Sequence, residues 1–213
     1  MKVLNLYAGI GGNRKLWQDV EVTAVEYDQA TADVYKDYFP DDTVIVTDAH
    51  QYLLDHYKEF DFIWSSPPCP THSDIRRCGV HAGQVDAVYP DMGLYQEILL
   101  LRHYAPKETK WIVENVVPYY TPLIPEDARL HRHLYWCNFK FSKNVIYDLD
   151  RKHNDIQGNS TVYGFNVKGT AISNKRKALR NMVDPELGLH ILNAARNIIT
   201  KPKTEQAGLF DEH

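Results

Sequence analysis

The sequence predicts an α/β fold built on a mainly parallel sheet. Short apolar, β-prone runs recur through the first part of the chain, at Val3–Leu6, Val22–Val25, Val44–Val46, Phe60–Trp64 and Trp111–Val113. Stretches of helical length separate them, and such alternation gives a parallel sheet flanked by helices. Glycines or chemically capable side chains stand at the end of each run: Gly9 to Gly12, Glu26, Asp48, Cys69 and Glu114. Ligands of open α/β sheets bind beyond the carboxyl ends of the strands, so this shared placement points to one site.

The elements follow in order. The first strand leads into "YAGIGGNRKLW", read as a glycine turn running into a helix. The second strand ends in Glu26, and residues 29 to 38 suit a helix. The third is followed by Asp48 and a helix near 50 to 57. The fourth opens on "SSPPCPTHSDIRR", where prolines flank a cysteine. Asp91 to Tyr104 is helical, with Leu94, Ile98 and Leu101 on one side. The fifth strand ends at Glu114 and Asn115, and Leu134 to Trp136 is a sixth. Between 140 and 175 the periodicity decays into Gly, Asn and Ser with short β-prone pieces. A final helix covers about 185 to 199, and Pro202 stops it near Thr200.

A chain of 213 residues fits one domain with room for a sizeable core. Its 44% apolar and 24% charged residues are ordinary for a globular protein. No apolar run is long enough to span a bilayer. "MKVLNLYAGIGG" turns to glycine too early for a signal peptide. Cys69, Cys78 and Cys137 make an odd count, which argues for a reducing compartment and for thiols that are buried, ligating or reactive. The net charge of −4 hides an asymmetry. Arg129 to Arg180 holds eleven Lys and Arg against three Asp, a local +8 that leaves −12 elsewhere. Such a region is either a solvated basic surface or a face that neutralises phosphates.

The residues themselves suggest chemistry. Glycines at 9, 11 and 12 permit close backbone approach of a ligand or simply a tight turn. An acid ending the second strand can accept from both ribose hydroxyls, and an acid after the third can accept from an adenine amino group. No phosphate-binding lysine loop accompanies them, so a nucleoside without phosphates fits the pocket. Cys69, His72, Cys78 and His81 also have a ligand-like spacing, but a zinc site leaves the neighbouring motifs unexplained and would occupy Cys69.

Taken together, these motifs resemble those of the DNA cytosine-5 methyltransferases, in that family's order. The glycine motif is "LYAGIGG", the ribose acid stands in "AVEYD" and the adenine acid in "TDAH". The nucleophile motif is "SSPPCP", the Glu-Asn-Val motif "ENVVP", and the last motif "RNMVDPELGLHILNAARN". The resemblance implies a Rossmann-like class I methyltransferase fold with a small irregular target-recognition insertion. It divides the chain into a catalytic, cofactor-binding core (1–139), a target-recognition region (140–178), a C-terminal helix completing the core (179–200) and a flexible tail (201–213). It implies S-adenosyl-L-methionine as methyl donor, touched by Tyr7, Gly9, Ile10, Gly11, Gly12, Glu26, Tyr27, Asp48, Ala49, Pro68 and Asn181. No metal is called for.

The implied reaction is methylation of C5 of cytosine in double-stranded DNA. Cys69 adds to C6, and the flipped base is held by Glu114 and Arg132. Residues 71 to 88 form the loop that closes over it. Ser73, Arg76, Arg77, Lys175, Arg176 and Lys177 are the expected DNA contacts. The chain departs from the family at three places. "RLHRHLYW" stands for the usual Gln-x-Arg-x-Arg, which leaves His131 and His133 beside Arg132 as contacts to cytosine O2. Pro70 replaces a Gln, and Arg180 a Gly. One branch of the family methylates transfer RNA with the same motifs, so RNA is the alternative substrate. A catalytically silent DNA-binding subunit is a third reading, which the presence of both Cys69 and Glu114 opposes. With no nuclease-like segment, the expectation is a monomeric, cytoplasmic enzyme of phage or mobile-element type that marks DNA against restriction in a bacterial host.

The C-terminal "KPKTEQAGLFDEH" is polar apart from Leu209 and Phe210. Its "QAGLF" resembles the Gln-x-x-Leu-Phe peptide by which bacterial proteins dock on the replication sliding clamp. Adjacent Leu209 and Phe210 suit one apolar pocket, Gln206 suits its rim, and the polar tether gives reach.

Overall fold

The structure is a computed structural model and describes residues 1–143 and 163–198. The last helix ends at Ala195, with Arg196 as its C-cap and Asn197 at φ 59°, short of the expected end near Thr200, because the chain turns left-handed there. The bulk of the irregular stretch (144–162) and the clamp-like tail with Gln206, Leu209 and Phe210 lie outside the described residues.

Among the described residues, seven strands form one sheet: β1 (Lys2–Leu6), β2 (Glu21–Glu26), β3 (Thr43–Val46), β4 (Phe62–Ser65), β5 (Lys110–Val116), β6 (Ala128–Leu130) and β7 (His133–Cys137). Their order is β3-β2-β1-β4-β5-β7-β6. The first five are mutually parallel, and β7 runs antiparallel to β5, with β6 hairpinned onto it. The helices are α1 (Gln29–Tyr38), α2 (Ala49–His56), α3 (Asp74–His81), α4 (Gly93–Tyr104), α5 (Lys175–Asn181) and α6 (Pro185–Ala195). The α/β class with a mainly parallel sheet is as expected.

The central strands read as continuous apolar runs because both of their faces are buried. Leu4, Leu6, Ile63 and Val113 pack with Leu53 of α2 and with Leu94, Ile98 and Leu101 of α4. Val3, Phe62, Trp64 and Ile112 alternate to the other face and meet Trp17 and Leu187, Ile191 and Leu192 of α6. Side-chain oxygens start most helices. Asp28, Asp48, Ser73, Asn174 and Asp184 cap α1, α2, α3, α5 and α6, and Pro185 follows the last cap.

Besides the early end of the last helix, three details differ from the sequence reading. No helix follows the glycine turn: residues 12–16 remain a string of turns. The backbone there is committed to packing instead. Asn13 lies under Gly188 of α6, its side chain exchanges amide hydrogen bonds with Asn5 at 2.8 and 3.3 Å, and Arg14 pairs with buried Asp42 at 2.8 Å. The C-terminal α6 thus covers the sheet face beside this turn segment. Second, β5 runs past Glu114 and Asn115 to Val116, because β7 continues its ladder opposite them at Tyr135, Leu134 and His133, and β6, which the sequence reading lacked, pairs on the far side of β7. Third, part of the stretch expected to be a closing loop is helical. α3 is short, begins on the Ser73 cap and buries no side chain.

The described residues 163–172 are not a separate lobe. Tyr163, Phe165, Val167 and Ile172 are buried with Ile10, Val34, Leu179 and Met182. Lys15 clasps this stretch, its Nζ donating to the carbonyls of Tyr163 and Gly164 and lying 4.2 Å from the Phe165 ring centroid. The glycine turn, α1, α5 and residues 163–172 therefore share one apolar cluster.

Candidate active site

At the carboxyl end of β1 the chain turns sharply. Tyr7 and Gly9 both have φ 55° and Gly11 has φ 87°, conformations that a side chain makes costly. The glycines serve different ends. A Cβ on Gly9 would meet nothing within 4 Å, so that side of the turn is open. A Cβ on Gly11 would lie 2.2 Å from the Phe39 ring, and one on Gly12 2.1 Å from Met182 and 2.4 Å from the Val183 carbonyl. Gly11 and Gly12 therefore seat the turn against α1 and the segment after α5. Ile10, fully buried, anchors it from below.

Glu26, the last residue of β2, is held by backbone donors. Its Oε2 accepts from Gly9 N at 2.9 Å, and its Oε1 from Tyr27 N and Asp28 N at 2.9 and 3.1 Å. A carboxylate has about four acceptor positions, so capacity remains on Oε2 beside the open face of Gly9. Tyr27 stands next to it, 78% exposed. Asp48 spends one oxygen on capping α2 through Gln51 N at 2.8 Å and keeps the other. Ala49 is buried behind it. An open backbone turn, a fixed acceptor after β2 and a second acceptor after β3 suit a nucleoside, so the residues present fit S-adenosylmethionine. Pro68 and Asn181 are both exposed, the first in the segment after β4 and the second at the end of α5.

Cys69 follows β4 in a compact turn. His72 N and Ser73 N donate to its carbonyl at 3.0 and 3.1 Å. The preceding prolines are tied to the neighbouring strand, since Asn115 Nδ2 donates to the Pro67 carbonyl at 3.0 Å. The following residues are tied beyond it, by a Ser73–Pro118 bridge, by Tyr119 N donating to the His72 carbonyl and by His72 Nδ1 lying 2.6 Å from the Tyr120 hydroxyl. The thiol is thereby held between β4 and β5.

Burial raises the Cys69 pKa, and the nearby Glu114 carboxylate raises it further; its own backbone and the Lys177 and Arg132 cations pull it down. The raising influences win, so the free protein carries a thiol at neutral pH. Three expected residues, Glu114, Arg132 and Lys177, thus each act electrostatically on a fourth, Cys69. Arg132 is exposed and sits in the β6–β7 turn after His131, whose φ is 51°.

Of the expected DNA contacts, Ser73 caps α3, Arg77 pairs with Asp74 at 2.8 Å and Arg76 donates to the Asp86 carbonyl at 2.9 Å. Lys175, Arg176 and Lys177 share α5, with Lys175 also donating to Ile172 O at 3.3 Å. The residues of the zinc-like spacing are not gathered. His72 is buried against Tyr120, Cys78 and His81 are exposed on α3, and no metal-holding group of His, Cys, Asp or Glu occurs among the described residues.

Two functional contributors escaped the sequence reading. The Asn115 amide clamp needs the β4–β5 pairing to be seen. Glu97 carries a visible signal, an acid among the apolar positions of α4, and proves fully shielded between Tyr7, Ser65 and His50.

A family model for C-5 cytosine-specific DNA methylases matches residues 1–117, more than half of the chain. Among curated proteins none matches. Of solved structures, the Entamoeba histolytica methyltransferase EhMeth is similar in fold, with a TM-score of 0.54 at 10% identity, covering 94% of this chain and 99% of that one. A Spodoptera frugiperda DNMT2 mutant aligns with 54% of this chain and 35% of its own, at 24% identity and TM-score 0.37. A DNA modification methyltransferase encoded in an Escherichia coli prophage aligns over 57% and 33%, at 21% identity and TM-score 0.36. No described helix is long and apolar enough to cross a membrane.

Proposed function

We propose that this chain, which belongs to the C-5 cytosine-specific DNA methylase family and as such uses S-adenosylmethionine, methylates C5 of cytosine in DNA through a covalent adduct between Cys69 and the base. One observation carries the reading. The thiol of Cys69 and the carboxylate of Glu114 are brought together at the ends of adjacent β4 and β5, with Asn115 of the same strand clamping the Cys69 segment.

Cytosine C5 is too weak a nucleophile to attack a methyl group unaided. Cys69 Sγ forms a bond to C6, its proton leaving as it attacks, and the ring electrons move onto C5 as an enamine. Glu114 faces N3 and the exocyclic amine, and Arg132 faces O2, so that both support the ring as it takes up charge. Bound S-adenosylmethionine supplies an electrophilic methyl group carried on a sulfonium. With the methyl group on C5 and S-adenosylhomocysteine as the leaving group, the C5 proton would then pass to water as the C6–S bonding pair departs on Cys69, restoring the C5–C6 double bond. Cys69 is poorly ionised before attack, and the Lys177 and Arg132 cations offset part of the cost of the negative charge that develops on sulfur as it attacks. In a duplex the base reaches Cys69 only when flipped out of the stack.

Transfer of labelled methyl groups to duplex DNA and, in parallel, to transfer RNA tests the reading. The expected result is labelled DNA, dependent on Cys69. Label in RNA with none in DNA would overturn the substrate while keeping the chemistry, and no label in either would overturn the activity.

A further inference from the structure

Glu97 lies on the inner side of α4, among Leu94, Ile98 and Leu101, and its side chain is 0% exposed. An ionisable group there is costly to bury unless its oxygens are used. They are used. Oε1 accepts from the Tyr7 hydroxyl at 2.5 Å and lies 3.0 Å from His50 Nδ1, and Oε2 accepts from the Ser65 hydroxyl at 2.5 Å.

The three partners come from three different elements, each ending at the same place. Tyr7 begins the turn that follows β1, in a left-handed conformation unfavourable for an aromatic residue. Ser65 ends β4, where the chain starts toward Pro67 and Cys69. His50 lies in the first turn of α2, immediately after Asp48 and Ala49. The hub ties α4 to the turn that leads to Gly9 and to the helix that Asp48 caps.

We propose that Glu97 is a positioning residue for the methyl-donor site: through Tyr7, Ser65 and His50 it holds the β1 turn and the start of α2 in the arrangement that takes S-adenosylmethionine. This rests on the reading that Gly9, Glu26 and Asp48 receive that molecule. The same hub connects the donor site to the strand that carries Cys69.

The test is calorimetric affinity for S-adenosylhomocysteine, which needs no turnover, with the His50 ring protons followed by NMR. Glu97→Ala removes every acceptor and should weaken binding about tenfold or more. Glu97→Gln keeps an acceptor for Tyr7 and a donor for Ser65, and should stay within about threefold of wild type. In wild type Glu97 raises the His50 pKa, and Glu97→Gln should let it fall. A purely space-filling Glu97 would not produce that titration change together with affinity rescue. Binding by a folded Glu97→Ala protein within about threefold of wild type overturns the proposal. Should Glu97→Ala not fold, Tyr7→Phe decides: undiminished affinity there overturns it equally. An unmoved His50 pKa in Glu97→Gln overturns the hub. Wild-type protein that binds no S-adenosylhomocysteine brings down the donor-site reading itself, and the proposal with it.

Discussion

Gly188→Ala sets two physical effects against each other, and the structure decides between them. Gly188 lies inside α6, where an alanine is normally better by about 0.5–1 kcal/mol. Here the added Cβ would stand 2.3 Å from Asn13 O, 2.7 Å from its Cα and 2.8 Å from its carbonyl carbon. These are backbone atoms, and Asn13 is pinned from the far side by its paired amide contacts with Asn5. Relief by a side-chain rotation is therefore not open to the helix. Overpacking of a tight core costs about 1–3 kcal/mol, and a backbone obstacle belongs in the upper half of that range. After the helix gain is subtracted, a net loss of about 1–2.5 kcal/mol remains. For a chain of this size that lowers Tm by about 2–10 °C. Thermal unfolding followed by circular dichroism measures it. A Gly188→Ala protein as stable as wild type, or more so, would refute the claim that α6 seats directly on the turn segment.

Two further outcomes follow from the same structure and a third from the sequence. Cys69 should be alkylated slowly at neutral pH and faster as pH rises, in a background with Cys78 and Cys137 changed to Ser. Glu114→Gln should shift that profile to lower pH and Lys177→Ala to higher pH, because the carboxylate raises the thiol pKa and the cation lowers it; unmoved profiles would separate these groups from Cys69. DNA affinity should fall steeply with salt, and charge reversal at Lys175, Arg176 and Lys177 should reduce the logarithmic slope by about one for each phosphate no longer neutralised, a salt-independent affinity being the contrary result. A peptide of residues 203–213 should bind a purified bacterial sliding clamp, consistent with delivery to newly made DNA, and cease to bind when Leu209 and Phe210 become Ala; equal binding by the two peptides would remove the clamp from the account.

The sheet was legible because β1, β4 and β5 are buried on both faces and so appear as unbroken apolar runs. The shared placement of the expected site residues was legible for a related reason. Glu26, Cys69 and Glu114 stand at or near the ends of strands that are parallel and close in the sheet order. What escaped depends on long-range packing. Nothing local in "GNRKLW" says that it will stay irregular, since that follows from Asn13 meeting Gly188, far along the chain. The extension of β5 to Val116 depends on the antiparallel partner β7, β6 is only three residues long, and α3 buries no side chain that would give it periodicity. Helix α5 joins Lys175, Arg176 and Lys177 to a single buried Leu179, too little apolar pattern to separate it from loop.

The central claim is that Cys69 becomes covalently joined to the base during methyl transfer, and one measurement addresses it most directly. Fluorine at C5 of the target cytosine blocks loss of the C5 substituent, so an adduct that is methylated cannot break down. Duplex DNA carrying 5-fluorocytosine, incubated with the protein and S-adenosylmethionine, should give a denaturation-resistant complex whose digestion places the modified base on Cys69, and Cys69→Ala should give none. A wild-type protein that methylates unmodified DNA yet forms no such complex, or a complex that survives Cys69→Ala, would contradict the account.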